Sequence, residues 1–409
     1  MDISNKSNKD IFYQHQAQTS PYPLGIEIDH AKGVYMYDVN GKSYMDLISG
    51  IAVNNLGHGH PKITKAIKDQ VDKYLFVMVY GEMVQKPQID LTKSLLSVLP
   101  DTLNATYFVN SGTEANEAAL KLAKRYTGRT ELVSFNRSYH GNTHGSLSVS
   151  GNEVKKNAFR PLLPDVRFID FNKMEDLQYI TEKTAGVIVE PIQGDAGVRI
   201  PSIDYMKALR ARCTEVGAQL IFDEIQTGFG RTGKFFAFEH FDVVPDILTI
   251  AKGMAGGMAM GCFVSSQEKM KVLSHDPILG HITTFGGHPV CCAASNAVIN
   301  TLKEDKIIED VERKGQLFED LLSGHPEIKE IRRKGLMFAI DMESFELVND
   351  VVTTCIENGV ITYWFLSTPY AFRIAPPLII SDNEIREACK VILNAIDACV
   401  VNRKKRMES

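Results

Sequence analysis

The chain reads as an α/β protein. A large domain carries a mostly parallel sheet flanked by helices, and a smaller α+β domain stands beside it. Three observations predict this. At 409 residues the chain exceeds one ordinary domain. Between about 105 and 265, the short apolar runs Tyr107-Phe108-Val109, Leu132-Val133, Val187-Ile188-Val189, Leu220-Ile221-Phe222 and Ile247-Leu248-Thr249-Ile250 alternate with helical patterns, as in a helix-covered parallel sheet. From about 300 the pattern is mixed, with a strand region at 330–341 and an amphipathic helix over 382–401. We find no 20–50-residue repeat and no eightfold unit, which argues against a solenoid and a barrel. The expected division is an arm and hairpin at 1–50 belonging to the small domain, the large domain at 51–300, and the C-terminal small domain at 301–409.

The elements before the sheet follow from local signals. Residues 1–20 are polar and rich in Asn and Gln, which suggests a loose arm. Over 33–46, alternating runs flank Asn40-Gly41, a hairpin signal. Ile63, Ile67 and Val71 repeat at helical spacing between His60 and Tyr74.

Composition narrows the class. Apolar residues make up 44% and charged residues 23%, as in an ordinary globular protein. A net charge of -5 gives no reason to expect nucleic acid or an anionic membrane as partner, and the basic run Arg403 to Arg406 reads as a solvated terminus. Seven cysteines, an odd number without C-x-x-C spacing, argue for a reducing compartment, and vicinal Cys291-Cys292 reads as packing. The polar start lacks the apolar stretch of a secretory signal, and no apolar run is long enough to span a bilayer. The expected location is the cytoplasm.

Ligands of open parallel sheets bind at the carboxyl ends of the strands, so each apolar run nominates the residues at its exit. After Val109 come Asn110, Ser111, Gly112 and Thr113, opening a helix whose free N–H groups suit a phosphate; a plain capped helix is the bland reading. After Val133 come Tyr139 and His140, either able to stack on a ring. His140 and His144 are spaced like metal ligands, but no Glu follows His140, and we expect no metal. After Val189 come Glu190 and Asp195, an acid/base pair, a holder for a substrate-binding arginine, or loop charges. After Phe222 comes Asp223, followed by Gly228 to Lys234, which matches the G-x-G-x-x-G fingerprint and most of a P-loop. The P-loop needs Ser or Thr after the lysine, where this chain has Phe235, and Phe235-Phe236-Ala237-Phe238 looks like a bulky loop rather than the required helix. After Ile250 comes Lys252. A lysine and an aspartate at two neighbouring strand exits suggest an amine that makes a Schiff base with an aldehyde cofactor and a carboxylate that pairs with its ring nitrogen. That cofactor would be pyridoxal phosphate, held by the large domain.

Together these segments resemble the class III aminotransferases, pyridoxal-phosphate enzymes of fold type I. The resemblance runs from about Gly33 to Leu393. Its motifs are Ser111-Gly-Thr-Glu-Ala-Asn116, Tyr139-His-Gly141, Glu190-Pro-Ile-Gln-Gly194, 223–233, Ala251-Lys252-Gly253, Thr283-Thr284-Phe-Gly-Gly287 and Arg373-Ile-Ala-Pro-Pro377. The resemblance implies Lys252 as the lysine that holds the cofactor and then shuttles a proton. It implies Asp223 on the pyridine nitrogen, Gln226 facing the phenolic oxygen and Tyr139 stacked on the ring. Ser111, Gly112 and Thr113 would take the phosphate, with Thr284 reaching the phosphate of a neighbouring subunit, and His140 and Glu190 would lie beside the cofactor. Arg373 would clamp the α-carboxylate of 2-oxoglutarate or glutamate, with Asp195, one methylene shorter than the usual glutamate, as the acid that parks it. It also implies a homodimer with shared active sites.

Two positions bear on the donor: one departs from the acetylornithine, ornithine and 4-aminobutyrate types alike, the other from the ornithine type, with Ile51-Ala52-Val53 more like the other two. Asn142 stands where a carboxylate-binding arginine is usual, and Ile51 where ornithine-type enzymes have tyrosine. A donor without a second carboxylate, or one held by another cation such as Arg137, stays open. The expected function is transfer of an amino group, often a terminal one, to a 2-oxo acid by a ping-pong mechanism. Aminomutase, decarboxylase or lyase chemistry on the same scaffold is the alternative, or, from another class, nucleotide binding by Gly228 to Lys234.

Overall fold

A computed structural model describes residues 3, 4 and 6–408. Met1, Asp2 and Asn5 of the polar start and Ser409 lie outside the described residues, as do the side chains from Arg406 of the basic tail onward. The arm is not loose throughout. Asn8–His15 is a helix closed by a capping box, in which Ser7 and Asp10 each bond the other's backbone N–H. The hairpin forms as expected: β1 (Ile28–Lys32), β2 (Tyr35–Asp38) and β3 (Ser43–Asp46) pair antiparallel. Gly41 takes φ +80° in the β2–β3 turn, while Asp38 Oδ1 accepts from Asn40 N and Lys42 N, each at 2.9 Å.

The central sheet has seven strands: β4 (Ala105–Val109), β5 (Glu131–Phe135), β6 (Val166–Ile169), β7 (Thr184–Val189), β8 (Gln219–Asp223), β9 (Ile247–Ile250) and β10 (Gly261–Ser265). Their order is β4-β10-β9-β8-β7-β5-β6, parallel except for β10. β7, β8 and β9 are buried along their whole length, which is why they read as unbroken apolar runs. The helix Gly112–Thr127 lies on the sheet with Ala115, Ala118, Ala119 and Ala123 buried, and it ends on Gly128 in the left-handed region. A Cβ at Gly186 of β7 would stand 2.9 Å from Ala123 Cβ, so small residues set how closely helix and sheet approach.

The C-terminal part holds β11 (Glu330–Lys334), β12 (Met337–Asp341), β13 (Val360–Ile361), β14 (Tyr363–Trp364) and β15 (Ala371–Ile374). Four of these form the sheet β11-β12-β15-β14, and β13 instead pairs parallel with β3. The last helix runs from Asp382 to Glu408, beyond the expected 401, because no Gly or Pro intervenes to stop it. The larger core continues from Val34 through the central sheet to Cys399. All seven cysteines are buried and free. Among the described residues no helix is long and apolar enough to cross a membrane.

Candidate active site

At the carboxyl ends of the central strands lies a cavity of about 480 Å³, lined by Ser111, Gly112, Thr113, Tyr139, His140, Asn142, Glu190, Asp223, Gln226 and Lys252, with Val53 and Met258–Met260 completing the wall. The polar members come from the ends of five strands: β4, β5, β7, β8 and β9.

Lys252 sits just past β9 with φ +46°, a strained setting for a residue with a side chain. Burial lowers its pKa; the nearby Asp223, Glu190 and Asp195 oppose this, and Arg373 adds to it. A larger share of its amine is therefore neutral than for an exposed lysine. Asp223 ends β8. Its Oδ2 accepts from Asn116 Nδ2 at 2.8 Å and His140 Nδ1 at 2.7 Å, and its Oδ1 from Ile225 N at 3.1 Å. Thr249 Oγ1 donates to Asn116 Oδ1 at 2.7 Å, which fixes the Asn116 amide so that its NH₂ faces Asp223. Among the described residues no Lys or Arg makes a salt bridge to Asp223, and the buried Nε2 of His140 has no hydrogen-bond partner. Asp223 thus has capacity for a cation from the cavity.

Glu190 Oε1 accepts from Tyr139 N at 3.0 Å and Oε2 from Gly194 N at 2.8 Å. Burial pushes its pKa up to about 7, with Asp223 adding and His140 opposing. Tyr139 edges the cavity. Burial raises its pKa, Asp195 and Asp223 add to this, and a hydrogen bond with Asn142 counteracts them. At Gly194 a Cβ would lie 2.2 Å from Gln226 Oε1, so this glycine makes room for Gln226.

Ser111 caps the helix Gly112–Thr127, its Oγ accepting from Glu114 N at 3.3 Å. Two close approaches shape the cradle in front of that helix. A Cβ at Gly112 would stand 2.7 Å from Ile225 Cδ1, and one at Gly141, which has φ +125°, only 2.3 Å from Thr113 Oγ1. The cavity therefore offers a helix N-terminus at one end, a carboxylate lacking a Lys or Arg partner, and a desolvated amine. Those features fit a phosphate, a protonated ring nitrogen and an aldehyde, the three reactive parts of pyridoxal phosphate.

Four expected site residues stand outside this lining. Arg373, on β15, donates from Nε to Trp364 O at 3.1 Å and from Nη2 to Asp195 Oδ1 at 3.1 Å, and it lies over the Phe365 ring. Burial lowers its pKa and Asp195 opposes that. Asp195 also accepts from Leu366 N at 3.0 Å and Ser367 Oγ at 2.8 Å. Ile51, with φ +66°, is replaced in the wall by Val53. Thr284 is exposed, its Oγ1 3.5 Å from Tyr80 OH. Thr249, Asn152 and Ser367 carry no local sequence signal, and Asn116 only that of a motif, because their partners are far along the chain.

Gly228 to Lys234 is a structural loop. Residues 228–232 are buried and no α-helix follows; the next element is a 3₁₀ turn at Ala237–His240. Arg231 points inward, donating to Leu336 O at 2.9 Å, Pro376 O at 2.5 Å and Asn55 Oδ1 at 2.7 Å. The phosphate-like spacing is occupied by packing, which removes the basis for the nucleotide-binding alternative.

The sequence model of the Aminotransferase class-III family matches residues 15–396, and the chain belongs to that family. The family depends on pyridoxal phosphate, and its reaction is transamination. The chain is 37% identical over 388 residues to an acetylornithine aminotransferase of Methanopyrus kandleri, covering 94% of this chain and 97% of that one. It is likewise 37% identical over 374 residues to a [LysW]-aminoadipate semialdehyde/glutamate semialdehyde transaminase of Sulfolobus acidocaldarius, covering 90% and 94%. Among solved structures it resembles an ornithine aminotransferase from Toxoplasma gondii that holds pyridoxal phosphate at partial occupancy, with a TM-score of 0.89, 30% identity, and coverage of 97% and 94%.

Proposed function

We propose that this aminotransferase takes the terminal amine of an ω-amino acid such as acetylornithine, ornithine or 4-aminobutyrate and passes the amino group to 2-oxoglutarate or another 2-oxo acid. Relatives named for acetylornithine and for semialdehydes support a terminal amine. The observation that carries the reading is the convergence of Lys252 and Asp223 on one cavity in front of a helix N-terminus, with the Arg373–Asp195 pair close enough to act on the Lys252 amine.

Ser111, Gly112 and Thr113 would hold the phosphate, Asp223 the ring nitrogen, Gln226 the phenolic oxygen and Tyr139 the ring face, with His140 and Glu190 beside them. When bound, pyridoxal phosphate supplies an electron sink next to the substrate carbon. Lys252 Nζ would accept a proton from the substrate carbon and later give it back, a task suited to a desolvated amine. Asp223, held in place by its three donors, would favour a proton on the ring nitrogen. Arg373 binds the α-carboxylate of the oxo acid after leaving Asp195. Asn142, hydrogen-bonded to Tyr139, would meet the far end of the donor, and Lys155 borders the same narrow pocket as Tyr139, Asn142 and Asp195.

The same reading includes a homodimer in which Thr284 serves the partner's phosphate. The exposed apolar residues Phe76, Met78, Met83, Val84, Ile282 and Phe285 favour such a contact. It also includes a cytoplasmic location and the division into 1–50, 51–300 and 301–409, for which the β3–β13 pairing of N- and C-terminal parts speaks.

A panel of amino donors with 2-oxoglutarate and pyruvate as acceptors tests the proposal. Terminal amines are expected to lead, and the purified protein is expected to be yellow and bleached by borohydride. Products formed equally well without any 2-oxo acid would point instead to aminomutase, decarboxylase or lyase chemistry.

A further inference from the structure

We propose that Ser367, aimed by Asn152, keeps Asp195 hydrogen-bonded when Arg373 leaves it, and so sets how readily the enzyme accepts a substrate α-carboxylate. The inference rests on Arg373 being the carboxylate clamp.

Asp195 and Arg373 are both largely withdrawn from water. A buried carboxylate stripped of its cation is costly unless other donors remain. Asp195 has two such donors besides the arginine. Leu366 N shares Oδ1 with Arg373 Nη2, at 3.0 and 3.1 Å, and Ser367 Oγ holds Oδ2 at 2.8 Å. A guanidinium can grip a carboxylate with two parallel bonds. Here it makes one bond to Asp195, with Ser367 on the second oxygen and Nε turned to Trp364 O.

The Ser367 hydroxyl has a single proton, and its direction is set. Asn152 Nδ2 donates to Ser367 Oγ at 2.8 Å, so that oxygen is an acceptor toward Asn152 and a donor toward Asp195. The relay Asn152–Ser367–Asp195 therefore does two things. It competes with the arginine for Oδ2, and together with Leu366 N it leaves Asp195 with two donors once the arginine turns to a substrate. Ser367 and Asn152 are positioning residues; neither lines the main cavity.

The experiment measures binding of glutarate, a dicarboxylate with no reacting group, to the holoenzyme by calorimetry, together with kcat and KM for 2-oxoglutarate and the melting temperature. Ser367→Ala frees Oδ2 for a second arginine bond. It is expected to weaken glutarate and raise the KM for 2-oxoglutarate roughly tenfold, the size of one hydrogen bond to a charged group. The kcat should change by no more than about threefold. Ser367→Thr restores the hydroxyl and most of the affinity, and Asn152→Ala gives a smaller loss of the same kind. Glutarate binding by Ser367→Ala equal to or tighter than wild type overturns the proposal, as does a fall in kcat and melting temperature with glutarate affinity unmoved. Arg373→Gln is measured in parallel. If it binds glutarate like wild type, the clamp reading fails and the inference with it. If Arg373→Gln loses glutarate and Ser367→Ala does not, the relay alone is wrong.

Discussion

Replacing Asn116 by Ala removes the amide that joins the Asp223 carboxylate to Thr249 of β9, the strand that leads to Lys252. The side chain is fully buried. Its NH₂ donates to Asp223 Oδ2 at 2.8 Å and His140 O at 2.7 Å, and its Oδ1 accepts from Thr249 Oγ1 at 2.7 Å. Losing a hydrogen bond to a charged group costs about 1.5–3 kcal/mol, and leaving the buried His140 carbonyl unsatisfied costs a further ~1–3 kcal/mol. Thr249 has a fallback in Phe222 O at 3.4 Å, so its share is small. The expected total is about 3–5 kcal/mol of stability, read from denaturant unfolding of the apoenzyme. Asp223 loses one of its three donors, so its hold on a ring cation weakens as well. Titration of the apoenzyme with pyridoxal phosphate should show a Kd raised about tenfold, equivalent to roughly 1.4 kcal/mol. Stability within about 1 kcal/mol of wild type together with an unchanged Kd would refute the network as drawn, since two buried groups cannot lose their partners at so small a cost.

Four further outcomes are expected. Lys252→Ala should abolish turnover; substantial transamination by that variant without added amine would sink the assignment. Arg373→Ala should lower kcat/KM for 2-oxoglutarate at least about tenfold, ~1.4 kcal/mol, and lower amine use less; equal losses in separate half-reactions would count against the clamp. Burial raises the folded-state pKa of Glu190 from 4.5 to about 7, so the stability it contributes is complete below pH 4.5 and is lost as pH climbs through 7. Relative to Glu190→Gln, the wild-type apoenzyme should lose on the order of 3 kcal/mol across that window, and parallel pH profiles for the two proteins would contradict this. Gly141→Ala forces a Cβ onto Thr113 Oγ1 at positive φ, which should cost about 1–3 kcal/mol and weaken cofactor binding, checked by apoenzyme melting and cofactor titration.

Much of the site is legible in the sequence because a parallel sheet places its chemistry in register with its apolar runs. Glu190, Asp223 and Lys252 each follow a buried strand, and all three reach one cavity. The less legible part depends on contacts distant in sequence. Asp195 and Arg373 are each visible, but the role of Ser367 between Asp195 and Asn152 exists only once the loop after β14 folds over Tyr139. Asn116 looks like one more polar residue of a helix, since its partners lie on β8 and β9 and in the loop after β5. Strand β10 is hidden because it follows a glycine-rich stretch. The N-terminal helix is hidden because its apolar content is low and its capping box is its main support.

The inward turn of Arg231 has an engineering consequence. Its guanidinium fastens the 228–234 loop to Asn55, Leu336 and Pro376, the last only three residues beyond Arg373. Gly230 and Gly335 let the chain segments pass without room for a side chain. This seam locks the Arg373 side of the pocket to the main body of the enzyme. Asn142, Asn152, Leu366 and Ser367 sit on loops outside the seam. Asn142 alone among them makes no bond to Asp195 or Ser367, so a library at Asn142 can change what enters without unfastening what holds Arg373 in place.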